Sequence, residues 1–409
     1  MGRLYPFGSL VERMALLYPL RAVSVFLVAY SALSALILAL HLALSAGLVA
    51  NLAAERARAS RRGPVGTRLR GSRLEVEVVV AVRDEASVLP RLLESLRAQT
   101  EPEVRFLFVD DRSKDGTGRL LDEFCRSVGA RARVIHNDAD PRGLTGKQAA
   151  LDLAFGLAQG DVLLFTDGDC VVPPTWAEEM VDHFDDPRVG AVLGRIELAE
   201  DRGFLRRFQA FDQPLLNQYN LGSAGIRIPT GCFGNNMAVR SRAVHEAGGF
   251  RGLGYSVTED AMLLDAVCRR GGWQVRACVS GRAACRTRAQ ESWGGFLDQH
   301  TRWNAGALFS ADPVTSISYI LVVLIYLVGS ILVMPLGLLD WRVPVLSLTS
   351  FLSIGLLAGL GGLYEGKPRV RYFLRLLPYL LFFGFFYSFV TVRALLRRPF
   401  DWKGSRLTP

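Results

Sequence analysis

Apolar and polar positions change rhythm three times along the chain. From Leu20 to Ala50 the sequence is almost wholly apolar, with His41 as its interior interruption. At about 1.5 Å per helical residue this run exceeds the roughly 30 Å hydrocarbon core of a bilayer, so it is expected to span with tilt. It is also about twice as long as the apolar core of a signal peptide. Arginines 56, 58, 61, 62, 68, 70 and 73 follow it. A basic flank of this kind holds its end of a span in the cytoplasm.

At Leu74 the pattern turns to alternation. "LEVEVVVAV", "VRFLFVDD", "ARVIH" and "DVLLFTD" read as strands. "EASVLPRLLESLRAQ", "GTGRLLDEFCRSV" and "GKQAALDLAFGLAQ", lying between them, have helical spacing. Strands alternating with helices predict an α/β fold with a doubly wound, mostly parallel sheet. Beyond about Ser310 the chain is apolar again, with candidate spans at Thr315–Leu339, Val343–Leu363 and Leu374–Leu396. The expected organisation is an N-terminal segment (1–19), a transmembrane helix (20–50), a basic linker (51–73), a cytoplasmic domain (74–310), a membrane region of about three segments (311–398) and a basic tail (399–409). A multi-pass protein of the cell membrane is implied. Three full C-terminal crossings would put "RRPFDWKGSR" outside, against the positive-inside rule, so either the last segment does not cross or the rule fails here.

Composition agrees with a mixed protein. Of 409 residues, 50% are hydrophobic and 21% charged, too apolar for a soluble domain alone and too charged for a bare bundle. The net charge of +9 is carried mainly by arginine, much of it beside apolar runs. It favours an anionic leaflet and phosphorylated ligands. No aromatic-basic motif points to nucleic acid. The six cysteines show neither C-x-x-C pairing nor zinc spacing and read as reduced thiols. The five histidines show no ligand spacing, and His300 reads as a spacer. The stretch Phe204–Tyr219 suits a membrane interface or a core equally.

In open α/β sheets ligands bind at the carboxyl ends of the strands. Three strand ends here are acidic: Arg83-Asp84-Glu85, Asp110-Asp111 and Asp167-Gly168-Asp169. Two carboxylates at i and i+2 can address one point, and a hard cation such as Mg²⁺ or Mn²⁺ is the usual partner, keeping its other sites for water and phosphates. Asp167-Gly168-Asp169-Cys170-Val171 also has the D-x-D-x-V form of aspartyl-phosphate phosphatases, whose first Asp is a nucleophile. Thr258-Glu259-Asp260 precedes a helix, where Thr258 or Glu259 would serve equally as an N-cap. Gln299-x-x-Arg302-Trp303 lies just before the first C-terminal apolar run.

The ordered set D-D, D-x-D, T-E-D and Q-x-x-R-W, with "TGCFGNNMAV" and "GGF" between, resembles membrane-bound family 2 glycosyltransferases over roughly Leu74 to Ala305. That group includes cellulose- and hyaluronan-synthase-like enzymes and bacterial lipid or carotenoid glycosyltransferases. The resemblance implies a GT-A-like fold, a nucleotide-diphospho-sugar donor and inversion at the anomeric carbon. It implies that Asp110 and Asp111 contact nucleobase and ribose, with Glu85 in the same cleft. Asp167 would lie near ribose and sugar, and Asp169 would hold the metal on the diphosphate. Lys147 would help hold the nucleotide, or simply begin a helix. Asp260 would be the general base, with Glu259, Gln299, Arg302 and Trp303 around the diphosphate and the acceptor channel. Two positions depart from the pattern: Asp84 stands where the family often has Asn, and Arg112 where Gly is common. Three functions follow in order of preference: transfer of one sugar to a lipid or carotenoid-like hydroxyl, processive synthesis of an extruded polysaccharide, and a non-catalytic membrane scaffold.

Overall fold

The computed structural model describes residues 7–60, 74–138, 144, 146–198, 203–310, 312–327, 337–338, 340–364, 369–402 and 405–407. A long helix, α1 (Phe7–Ala59), leads into a seven-stranded sheet. Its first half follows the alternation in the sequence: β1 (Val76–Val82), α2 (Leu89–Arg97), β2 (Arg105–Asp111), α3 (Thr117–Val128), β3 (Ala132–Asn137), α4 (Gly146–Leu157) and β4 (Val162–Phe165). These strands pair in parallel in the order β3-β2-β1-β4. The sheet then continues through strands the alternation did not indicate. After α5 (Trp176–Val181) come β5 (Val189–Leu193), the short β6 (Ile196–Leu198) and α6 (Phe204–Gly225), and then β7 (Met237–Arg240). Strand β7 lies between β4 and β5 and is antiparallel to both, so the sheet is mixed. Helices α7 (Ser241–Glu246), α8 (Gly249–Leu253) and α9 (Glu259–Asp265) lead to β8 (Gln274–Ala277), which closes the edge beside β5. Strand β9 (Cys285–Thr287) pairs with β6 in a separate two-stranded ladder.

Every residue of β1 and β4 is buried. This is the signature of a sheet covered on both faces. Val78, Val80 and Val82 face a core with Leu92, Phe108, Phe124 and Trp176, whereas Val79 and Ala81 face one with Leu151, Phe155 and Leu163. Leu44 and Leu48 of α1 belong to the second core, so the N-terminal helix is part of the domain's interior. Gly47, Gly222 and Gly225 let α1 and α6 meet backbone to backbone, because a Cβ on Gly47 would overlap the Gly222 carbonyl. Glu77 is the exception among the β1 side chains. Its buried carboxylate accepts from the Gln159 N–H at 2.7 Å and from Arg133 at 3.1 Å, which meets its need for partners.

Among the described residues, four more helices follow: α10 (Trp293–Leu308), α11 (Pro313–Leu327), α12 (Arg342–Tyr364) and α13 (Arg369–Leu395). They build a third core with α1 and α6, around Phe208, Phe296, Ile354 and Phe386. Two helices among the described residues are long and apolar enough to cross a membrane, Ser24–Ala59 and Arg342–Gly361; Pro313–Leu324 and Phe382–Leu395 are shorter apolar stretches. Residues 61–73 of the expected basic linker, 328–336 of the candidate span Thr315–Leu339, and 365–368 lie outside the described residues. In the tail, Phe400–Trp402 and Ser405–Leu407 pair as a small antiparallel hairpin.

Candidate active site

A cavity of about 1080 Å³ opens where the carboxyl ends of β1 and β4 meet the helical bundle. Glu85, Lys147, Asp167, Asp169, Glu259, Asp260, Gln299, Arg302 and Trp303 all line it. Residues far apart in sequence are thus brought to one space by strand order and by contacts of the turn before α9 with α10.

The D-x-D loop follows β4 and crosses closely over the loop after β1. A Cβ on Gly168 would overlap the Glu85 carboxylate, so any larger residue requires the Glu85 side chain to shift. On one side of that crossing Lys147 Nζ lies 2.5 Å from Asp167 Oδ1 and 3.8 Å from Glu259 Oε1. Burial opposes the lysine's charge, but Asp167 and Glu259 outweigh it and hold the ammonium above its ordinary pKa. Lys147 is therefore an internal counter-ion that joins the D-x-D and T-E-D elements, a role beyond that of a plain helix-start lysine. On the other side the Thr287 hydroxyl approaches Asp169 Oδ2 at 3.4 Å. Carboxylate oxygens at a cavity wall are the hard donors that suit Mg²⁺ or Mn²⁺, so the donor set fits such an ion at Asp169 with Asp167 alongside.

Asp260 opens helix α9. Its Oδ2 accepts from the Gly234 N–H at 2.7 Å and its Oδ1 from the Ala261 N–H at 2.9 Å. A Cβ on Gly234 would press on this carboxylate, which explains the glycine in "TGCFGNN". Thr258 occupies the N-cap position of α9 but makes no side-chain cap bond. It packs instead on Gly306 of α10, where a Cβ would overlap it. Burial pushes the Glu259 carboxyl above the usual glutamate range, with Lys147 and Arg302 pulling the other way and Asp260 adding to the rise. Arg302 Nη1 donates to the Val257 carbonyl at 3.0 Å and so ties α10 to the same turn.

Asp110 and Asp111 do not line this cavity. They end β2 and are engaged locally: Asp110 by His136 at 3.2 Å and the Ser113 N–H at 3.3 Å, Asp111 by Asn137 and a forked Arg112 at 3.0 Å each. Burial opposes protonation of His136, but Asp122 and Asp110 outweigh it and raise its pKa. Both departures from the family pattern fall on left-handed backbone, Asp84 at φ 50° and Arg112 at φ 60°. Asn and Gly are the residues that adopt this conformation most readily. Here Asp84 holds it by accepting from the Lys114 N–H at 2.7 Å.

The sequence reading missed the far wall. Asp212 of α6 is buried, with Oδ2 2.9 Å from His300 Nε2 and Oδ1 accepting from the Tyr387 hydroxyl at 2.8 Å. The His300 ring lies 4.9 Å from that of Trp303. His300 is therefore more than a spacer in the Q-x-x-R-W element: it joins Trp303 to α6 and α13. Only Phe204–Tyr219 hinted at this wall; Phe208 and Phe211 lie in the core, whereas Phe204 is exposed.

A mixed, mostly parallel sheet with carboxylates at its strand ends and a D-x-D loop over the cleft is the architecture of a GT-A-like glycosyltransferase. Residues 77–248 match the model of glycosyl transferase family 2. The chain is similar to the hyaluronan synthase of Streptococcus pyogenes, 24% identical over 261 residues, or 60% of this chain and 59% of that one. It thus spans about three-fifths of those relatives. It is also similar to the beta-monoglucosyldiacylglycerol synthase of Synechocystis, 28% identical over 43% of this chain and 37% of the relative. Among solved structures, the mannosyltransferase PcManGT of Pyrobaculum calidifontis, in complex with GDP-Man and Mn²⁺, superposes with a TM-score of 0.53 over 88% of this chain and 99% of its own, at 16% identity. At that identity the likeness concerns the fold.

Proposed function

We propose that the protein is an inverting, metal-dependent glycosyltransferase of the cell membrane, moving one sugar from a nucleotide-diphospho-sugar to a lipid or carotenoid-like hydroxyl. The carrying observation is the continuity of the cavity. Asp169 and Asp260 share it with Leu40 and Leu44 of α1, Val322 and Val323 of α11, and Phe383 of α13. Polar chemistry at one end and an apolar helical wall at the other suit an acceptor with a hydroxyl head and a hydrocarbon body. Val28 and Leu36 of α1, Ile317 and Leu324 of α11, Leu348 and Leu352 of α12, and Phe389 of α13 are exposed on the outside of the bundle. Apolar exposure on this scale supports membrane insertion. The basic residues after α1 support a cytoplasmic domain.

In this reading the acceptor hydroxyl enters from the apolar end and loses its proton to Asp260, whose carboxylate is aimed by the N–H groups of Gly234 and Ala261. Its oxygen bonds to the anomeric carbon as the bond to the nucleoside diphosphate breaks on the opposite face, which inverts the configuration. Asp169, with Asp167 beside it, would hold Mg²⁺ or Mn²⁺, which supplies charge stabilisation for the departing diphosphate. Lys147 keeps Asp167 and Glu259 in place, Arg302 and Gln299 face the diphosphate, and Trp303 borders the acceptor path. Glu85, Asp110 and Asp111 serve the nucleoside side. The Mn²⁺ and GDP-Man of the solved mannosyltransferase support this class of donor and metal.

A processive polysaccharide synthase is the second reading, favoured by Gln299-x-x-Arg302-Trp303 and by the hyaluronan synthase similarity. One assay separates the two readings: detergent-purified protein, Mn²⁺ or Mg²⁺, a panel of labelled sugar nucleotides and native lipid extract. A single labelled organic-soluble product supports the lipid reading, and a high-mass ladder overturns it in favour of the polymer. No transfer from any donor would sink both and leave the scaffold.

A further inference from the structure

Beside the edge strand β8, three donor atoms of different chemistry converge in the interior. Glu55 comes from the end of α1, His183 from the turn after α5, and Cys278 follows β8. All three residues are buried, and their ligand atoms lie within 4.8 Å of one another. His183 is fully buried; its Nε2 lies 3.3 Å from Glu55 Oε2, and its Nδ1 makes no hydrogen bond. The Cys278 thiol has a long 3.9 Å contact to the Glu179 carbonyl. A buried imidazole nitrogen without a hydrogen bond is costly and calls for a partner.

We propose that Glu55, His183 and Cys278 form a structural site for a zinc-like divalent cation. Thiolate, imidazole and carboxylate together are a borderline-soft donor set that selects zinc over Mg²⁺ or Ca²⁺. Ligand atoms around tetrahedral zinc stand about 3.5 Å apart, so the three side chains need to close by about an ångström. A fourth position remains for water or the Glu179 carbonyl. Thiolate and carboxylate supply the two negative charges that balance the ion. Arg58 adds a positive charge beside the group, and the carboxylates of Asp182 and Asp185 face it. The ion would fasten α1 to the edge of the sheet. It is chemically distinct from the all-oxygen set at Asp167 and Asp169. The three ligands come from distant segments, which is why no spacing motif announces them.

The test uses the full-length protein purified in detergent without strong chelator. Metal analysis is expected to find about one zinc per chain. Replacement by Co²⁺ should give a thiolate-to-cobalt charge-transfer band. Cys278→Ser and His183→Gln should each remove zinc and band, while Asp169→Asn keeps both. To keep the test independent of variant folding, wild-type protein is also stripped with chelator, and alkylation of Cys278, mapped by mass spectrometry, should then quicken more than tenfold. Monodisperse wild-type protein without tightly held zinc and without a Co²⁺ band would overturn the site. So would a band that persists in Cys278→Ser, or alkylation indifferent to chelator.

Discussion

The two ends of the cavity are built by different means. At the end proposed for the donor, loops leave buried parallel strands, and each acid is fixed by strand register and by close neighbours: Asp167 by Lys147, and Glu85 against Gly168. At the acceptor end no strand contributes. The wall is made of helices held by buried polar links, Asp212 with His300 and Tyr387, Arg393 with Asp298 at 2.8 Å, and Tyr319 with Asn304. A sheet edge permits little adjustment of its carboxylates, whereas a helical wall can change with each side chain. Chemistry common to a class belongs on the first, and acceptor choice on the second.

The contrast can be broken or sharpened by substitution. The largest effect is expected for Asp260→Asn, which should lower the transfer rate by about 10²–10⁴-fold while nucleotide affinity by calorimetry stays unchanged. Transfer at the wild-type rate would remove Asp260 from the chemistry. Next, Gly168→Ala forces the Glu85 side chain to shift and should weaken donor binding by more than about tenfold, the equivalent of 1.4 kcal/mol. Undiminished affinity would show that the crossing is not needed. On the helical wall, Tyr387→Phe removes one hydrogen bond from Asp212, and the acceptor KM should rise roughly threefold to tenfold, since such a bond contributes about 1 kcal/mol. Donor hydrolysis in water should not move; a fall there would contradict the division between the two ends.

The smallest effect concerns pH. Glu259 has its carboxyl raised by burial and restrained by Lys147. A raised folded-state pKa favours the protonated acid, so that contribution is complete below the ordinary glutamate pKa and is lost as pH climbs through the folded-state value. Lys147→Met removes the restraint and raises the carboxyl further. Its Tm should therefore fall more than that of the wild type as pH rises above the ordinary glutamate pKa. Parallel Tm profiles would mean that the ion pair contributes nothing to stability.

What the sequence disclosed follows the same division. Apolar runs and their flanking turns located β1 to β4 to within a few residues; β1 and β4 are buried throughout, as a sheet covered on both faces requires, and β3 only in part. The acidic strand ends placed Glu85, Asp167 and Asp169 on the cleft. The antiparallel insertion of β7 escaped notice because Met237–Arg240 is a four-residue strand without alternation of its own. Asp212 escaped because its meaning depends on His300 and Tyr387, 88 and 175 positions away. The two non-family residues, Asp84 and Arg112, were visible as departures, but only their positive φ explains why Asn and Gly suit those turns.

The contact between α1 and α6 changes how the N-terminal helix should be regarded. An anchor can be trimmed to obtain a soluble enzyme, and a keystone cannot. Leu44 and Leu48 fill the sheet's second core, and Gly47 touches Gly222 through the backbone. A truncated protein beginning after Ala59 would therefore present an open seam where α1 had been, and would aggregate unless another apolar body filled it.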